Sequence, residues 1–144
     1  MGMDKALCFV DTGILVAAFD RLERDKHETA ARLLASLWQS RTGVVSTQVL
    51  EEFHTLILRS KGLGVSLKSS QEIIEAFSYW QVFTPKPNDL LQAISLQEKY
   101  LLSFYDALII QSALVCRCGL IYSEQLMHGL KAEGTRIVNP FLEV

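Results

Sequence analysis

The chain is short of the features that mark several protein classes. Its 144 residues hold only three cysteines, Cys8, Cys116 and Cys118, the last two in a Cys-Arg-Cys triplet. An odd count with that spacing is not the disulfide framework of a small secreted domain. The triplet is also too tight for the usual zinc pair. A buried, structural role is expected for all three. No apolar run approaches the roughly 20 residues needed to cross a membrane. The N-terminal apolar stretch is cut by Asp11 and follows no basic segment, so neither a signal peptide nor membrane attachment is expected. A reducing, cytoplasmic setting is the default. Charge of one sign is also lacking: 14 basic and 16 acidic side chains leave a formal net charge of −2. That argues against a polybasic nucleic-acid binder. It does not exclude an enzyme whose positive charge comes from a metal ion. His27, His54 and His128 form no His-x-x-x-His pair, and Gly62 and Gly64 form no phosphate loop. A Gly-x-Ser-x-Gly nucleophile elbow is absent.

What is present is an ordinary globular composition, 49% hydrophobic and 21% charged. The length suits one domain spanning residues 1–144. Short apolar runs at 6–10, 44–46, 80–83, 120–122 and 135–138 predict strands. Between them lie helical patterns at 13–19, 26–39, 47–60, 66–77, 88–100 and 104–116, with a further short helix predicted over Leu126–Leu130. The segment 20–26 is charged and reads as a loop, and Asn88 or Asp89 sits near the expected cap of the fifth helix. Strands alternating with helices imply an α/β domain, a three-layer α/β/α sandwich around a mainly parallel sheet of four or five strands.

In such sheets ligands sit outside the carboxyl ends of the strands. Asp11 follows the first strand, and Ser123, Glu124 and Gln125 follow the strand at 120–122. Asp106 opens an otherwise apolar helix. Glu51 and Glu52 interrupt another, and at about 100° per residue Glu52 lies at the edge of its apolar face while Glu51 lies nearly opposite. Taken singly, each acid has an ordinary role as a cap or a surface charge. Together they suggest a cluster, which like-charge repulsion makes costly unless a divalent cation neutralises it. Hard carboxylate oxygens suit Mg2+ or Mn2+.

At this point the chain resembles the PIN-domain family, and within it the VapC-type toxins of toxin–antitoxin modules. Phe9-Val10-Asp11-Thr12-Gly13-Ile14-Leu15 resembles the opening strand and first acid. Asp25, His27 and Ala30 resemble the start of the second helix, and Ser46 to Phe53 the segment with the second acid, where the acid before the aromatic is Glu52. Phe104 to Ile110 resembles the third acidic motif, and Ile121 to Gly129 the last. The chain departs from the pattern at Gly13, where an Asn is usual, and at Gln125, where a fourth acid is usual.

The resemblance implies an Mg2+- or Mn2+-dependent ribonuclease acting on single-stranded RNA. Asp11, Glu52 and Asp106 would be catalytic and hold the metal, Glu52 through water if not directly. Thr12, Ser123, Glu124 and Gln125 would support them, and Arg21, Arg24, Lys26 and Lys61 are candidate RNA contacts. A cognate antitoxin and a homodimer are the implied partners. The alternative is a catalytically impaired PIN-fold module that binds RNA or protein, because Gln125 leaves the site one acid short. Trp38, Leu56, Leu58 and the segment 73–80 carry apolar surface that suits either an interface or the core.

Overall fold

The computed structural model describes residues 5–59 and 63–142. Strands β1 (Cys8–Val10), β2 (Gly43–Ser46), β3 (Gln81–Phe83), β4 (Leu120–Tyr122), β5 (Lys131–Ala132) and β6 (Thr135–Val138) form one sheet in the order β3-β2-β1-β4-β6-β5. All neighbours are parallel except β5 and β6. Helices α1 (Thr12–Ala17), α2 (Arg24–Ser40), α3 (Thr47–Arg59), α4 (Leu67–Phe77), α5 (Pro87–Tyr100) and α6 (Phe104–Val115) connect and cover it. The expected α/β class and mainly parallel sheet are present.

Burial explains the strand composition. Phe9, Val10, Val44, Val45, Ile121 and Ile137 are fully buried, as central parallel strands covered on both faces must be. Helix α6 is apolar nearly all round, with residues 107–113 buried, and packs against β2, β4 and β6. The three cysteines are free and buried. Burial pushes the Cys118 thiol up to about 12, which leaves it inert as a nucleophile.

The structure departs from the sequence reading in three places. The sheet has six strands, not four or five, because two residues pair antiparallel at its edge as β5. The segment predicted as a helix over Leu126–Leu130 is not helical: the backbone N–H of Gly129 donates to the Ile137 carbonyl and that of Ile137 to the Leu130 carbonyl, so β6 competes successfully for its hydrogen bonds. Residues 24 and 25 belong to α2 rather than to the preceding loop. Asp89 lies near the cap of α5, as expected, although it is not the N-cap itself. Lys86 takes that position, Pro87 follows at the first helical position, and Asp89 Oδ2 accepts from the Lys86 N–H at 2.8 Å.

Among the described residues no helix is long and apolar enough to cross a membrane. Trp38, Phe77 and Trp80 form an aromatic cluster with ring centroids 4.9–5.5 Å apart. Phe77 and Trp80 join the core, whereas Trp38 and Leu56 remain partly exposed. The apolar surplus noted in the sequence is therefore divided between core and surface.

Candidate active site

Topology brings the acids to one rim. In a parallel sheet, residues that leave neighbouring strands at the same register stand side by side. Val10 pairs with Tyr122, so Asp11 and Ser123 emerge together, and Ser123 Oγ donates to Asp11 Oδ2 at 2.7 Å. Helix α3 follows a strand and starts at this rim, which places Glu52 within its second turn. Helix α6 precedes the parallel strand β4 and so, like α3, runs antiparallel to the strands; its first turn, with Asp106, therefore lies at the same rim. The N-cap of α6 is Ser103, whose hydroxyl accepts the Asp106 N–H. Capping therefore makes no use of the Asp106 carboxylate.

One hydrogen-bonded network joins these elements. The Leu126 N–H donates to Ser123 Oγ at 3.0 Å, and the Thr12 N–H donates to Asp11 Oδ1 at 2.8 Å. Thr12 Oγ1 donates to Glu52 Oε2 at 3.3 Å. Gln48 Nε2 donates to Glu52 Oε1 at 2.7 Å and to the Tyr105 carbonyl at 3.3 Å. Five segments of the fold thus converge through Asp11, Thr12, Gln48, Glu52 and Ser123. Glu51 is exposed and outside this network, as its helical position predicted.

Electrostatics single out Asp11. Burial pushes its carboxyl from 3.8 up to about 6. The hydrogen bonds from Ser123 and Thr12 oppose that rise, while the negative charges of Glu52 and Asp106 add to it. Among the described residues no Lys, Arg or His forms an ion pair with any of the three acids. No three His, Cys, Asp or Glu side chains among them stand close enough to enclose a metal ion as placed. The donor chemistry nevertheless fits a hard divalent cation, since the three carboxylates lack a countercharge. Gln48 Oε1 is also buried beside Glu52 without a hydrogen-bond partner among the described residues. A buried acceptor left in that state costs about 1–3 kcal/mol, and water on a bound cation would supply its missing donor.

The other sequence candidates fall in different surroundings. Glu124 is half-buried and pairs with Lys26 rather than joining Asp11. Lys26 also lies 3.6 Å from Glu23 and 5.6 Å from the centroid of the Phe141 ring. Gln125, Arg21 and Arg24 are exposed. Lys61 lies outside the described residues. Sequence reasoning gave no role to Gln48, although a buried polar residue one turn before Glu52 was the available signal. Arg59, seven residues after Glu52 on the same helix, was likewise passed over.

Comparison with known proteins agrees with this architecture. The model of the PIN domain matches residues 8–125. Two solved structures share the fold. A toxin–antitoxin complex from Klebsiella pneumoniae aligns with a TM-score of 0.69 at 18% identity, over 92% of this chain and 97% of its own. The sarcin–ricin-loop-cleaving toxin VapC20 of Mycobacterium tuberculosis aligns with a TM-score of 0.61 at 22% identity, over 81% of this chain and 88% of its own. No curated protein sequence matches the chain. With the family model matching residues 8–125, most of the chain, this chain belongs to the PIN domain family.

Proposed function

We propose that the protein is a metal-dependent endoribonuclease acting on single-stranded RNA, the toxin half of a toxin–antitoxin pair working in the cytoplasm. The observation that carries this reading is the rim on which Asp11 and Glu52, linked by one hydrogen-bonded network, stand near Asp106 with no countercharge among the described residues. A bound Mg2+ or Mn2+ supplies the charge that polarises a scissile phosphate and acidifies a water. Asp11, fixed through both oxygens, would be the rigid ligand. Glu52 is held by Thr12 and Gln48. Asp106, whose carboxylate caps no helix, or Glu52 would orient the attacking water and take its proton.

The partners belong to the same proposal. One fold neighbour is a toxin–antitoxin complex, and this chain has an apolar groove of about 600 Å3 between α2 and α4, walled by Phe19, Leu34, Trp38, Ile73 and Phe77. An apolar helix of an antitoxin fits such a groove. Leu91, Ile94 and Leu101 form a separate exposed stripe along α5 and its end, which we assign to contact with a second copy.

The test is cleavage of a single-stranded RNA by the purified chain. Product is expected with Mn2+ or Mg2+, none after EDTA, and an Asp106→Asn variant is expected to be about 10²-fold slower or worse. Equal cleavage in EDTA would overturn the metal-dependent reading. The impaired-module alternative gains support from Gln125, which is neutral and exposed, and from Glu124, which is committed to Lys26. It predicts an inert parent and metal-dependent cleavage only in Gln125→Asp. The nuclease reading predicts an active parent, with Gln125→Asp altering its rate.

A further inference from the structure

A groove of about 360 Å3 lies between α1 and α3, lined by Gly13, Val16, Leu56 and Arg59 with Lys26 and Glu124, in part by neighbours of the acids along the chain. Helical spacing relates it to the site. Glu52, Leu56 and Arg59 are spaced by four and three residues, so one stripe of α3 carries the rim acid, an apolar side chain and then a cation. On α1, Gly13 and Val16 share a face that begins two residues from Asp11. Glu124, next to Ser123, closes the groove together with Lys26.

Three features suit this groove to a nucleotide. Residue 13 has no side chain: a Cβ there would find its nearest neighbour, Glu124 Oε2, at 4.0 Å, so a longer side chain would enter the groove. Val16 and Leu56 give it an apolar wall, and Leu56 is 43% exposed. The charge is also divided. Lys26 is neutralised by Glu124 and Glu23. Arg59 is exposed and joins no ion pair among the described residues. The α3 end is therefore positive and the opposite end presents an acceptor. A nucleotide is divided in the same way, with a phosphate at one end and a flat base with a polar edge at the other.

Resting on the nuclease reading above, we propose that this groove is the subsite for the nucleotide beside the scissile phosphate. Arg59 takes its phosphate, Val16 and Leu56 face its base, and Glu124 accepts from the base's amino group. Lys26 donates to Glu124 Oε1 and so leaves Oε2 facing the room above Gly13. Glu124 is then a specificity-determining residue. Adenine, guanine and cytosine carry an exocyclic amino donor that uracil lacks, so uracil is disfavoured at this position.

The experiment measures binding of a short single-stranded RNA to the full chain carrying Asp106→Asn, by fluorescence anisotropy across a salt series. Adding Arg59→Ala is expected to weaken binding about 10-fold and to lower the slope of log K against log salt by about 0.7, the loss of one phosphate contact on a single strand. Adding Gly13→Leu is expected to weaken binding to a similar extent by filling the groove. Arg136→Ala, on the distant strand β6, is expected to change neither quantity. Cleavage maps of the parent should be poor in uracil beside the cut, and Glu124→Gln should relax that bias. Thermal melts establish that each variant is folded. Folded Arg59→Ala and Gly13→Leu variants that bind like their background would overturn the subsite while leaving a cleaving parent as a nuclease. A parent that neither binds nor cleaves RNA would overturn both.

Discussion

Asp11→Asn is expected to reduce RNA cleavage by on the order of 10³-fold, the scale on which a preorganised electrostatic group acts, while leaving the fold intact. Asn keeps the shape of Asp11, and its amide oxygen still accepts the Thr12 N–H. Its NH2 group can donate to Ser123 Oγ, which now donates to Asp11 Oδ2, if the hydroxyl turns. The lost charge has a second, separable consequence. The Asp11 carboxyl titrates at about 6 in the folded chain, against an ordinary 3.8, chiefly because it is buried. The folded state thus binds this proton more tightly than the unfolded state. The favourable contribution is complete below pH 3.8 and disappears as pH rises through about 6. In metal-free protein at pH 8 the charged form therefore costs up to about 3 kcal/mol relative to low pH. Between pH 5 and 8, metal-free melts should fall for the parent and stay flatter for Asp11→Asn. Mg2+ added at pH 8 should raise the parent's Tm and leave that of the variant unchanged. Equal pH profiles and equal responses to Mg2+ would show that the Asp11 charge is not what the cation neutralises.

Gly43→Val is expected to destabilise the fold by about 2 kcal/mol. Gly43 lies in β2, where Val would ordinarily be favoured by up to about 1 kcal/mol. Here a Cβ would lie 2.5–2.7 Å from three ring atoms of Trp80. The ring is buried and packs on Phe77 and Trp38, so moving it aside breaks those aromatic contacts. Overpacking of this kind costs about 3 kcal/mol at the upper end of its usual range, which outweighs the strand preference. The expected fall in Tm is roughly 4–8 °C. In a Trp80→Leu background the same substitution should cost much less, and that coupling measures the clash itself. Additive effects of the two changes would mean that the ring is not the obstacle.

Much of the molecule was legible in the residues. The alternation of short apolar runs and helical patterns gave the α/β class, because strands covered on both faces must be apolar throughout. The edge position of Glu52 on its helix separated it from Glu51, because 3.6 residues per turn is a local property. What escaped the sequence reading depends on partners distant in the chain. The segment 126–130 has helical composition, yet its backbone finds better partners on β6. Two residues at 131–132 become a strand only because β6 lies beside them. Gln48 reads as one more polar helical residue until α6 supplies the Tyr105 carbonyl.

The acids show where that division falls. The sequence by itself determined which carboxylates are available and that Asp11, Glu52 and Asp106 each sit near the end of a strand or the start of a helix. That information is local, carried by periodicity and caps. Only the tertiary structure decided that Ser123 holds Asp11, that Thr12 and Gln48 hold Glu52, and that Glu124 turns to Lys26 instead of joining them. These outcomes follow from the parallel register of β1 with β4 and from α3 and α6 both starting at the rim where the strands end. They set the burial and neighbouring charges that push the Asp11 carboxyl up to about 6.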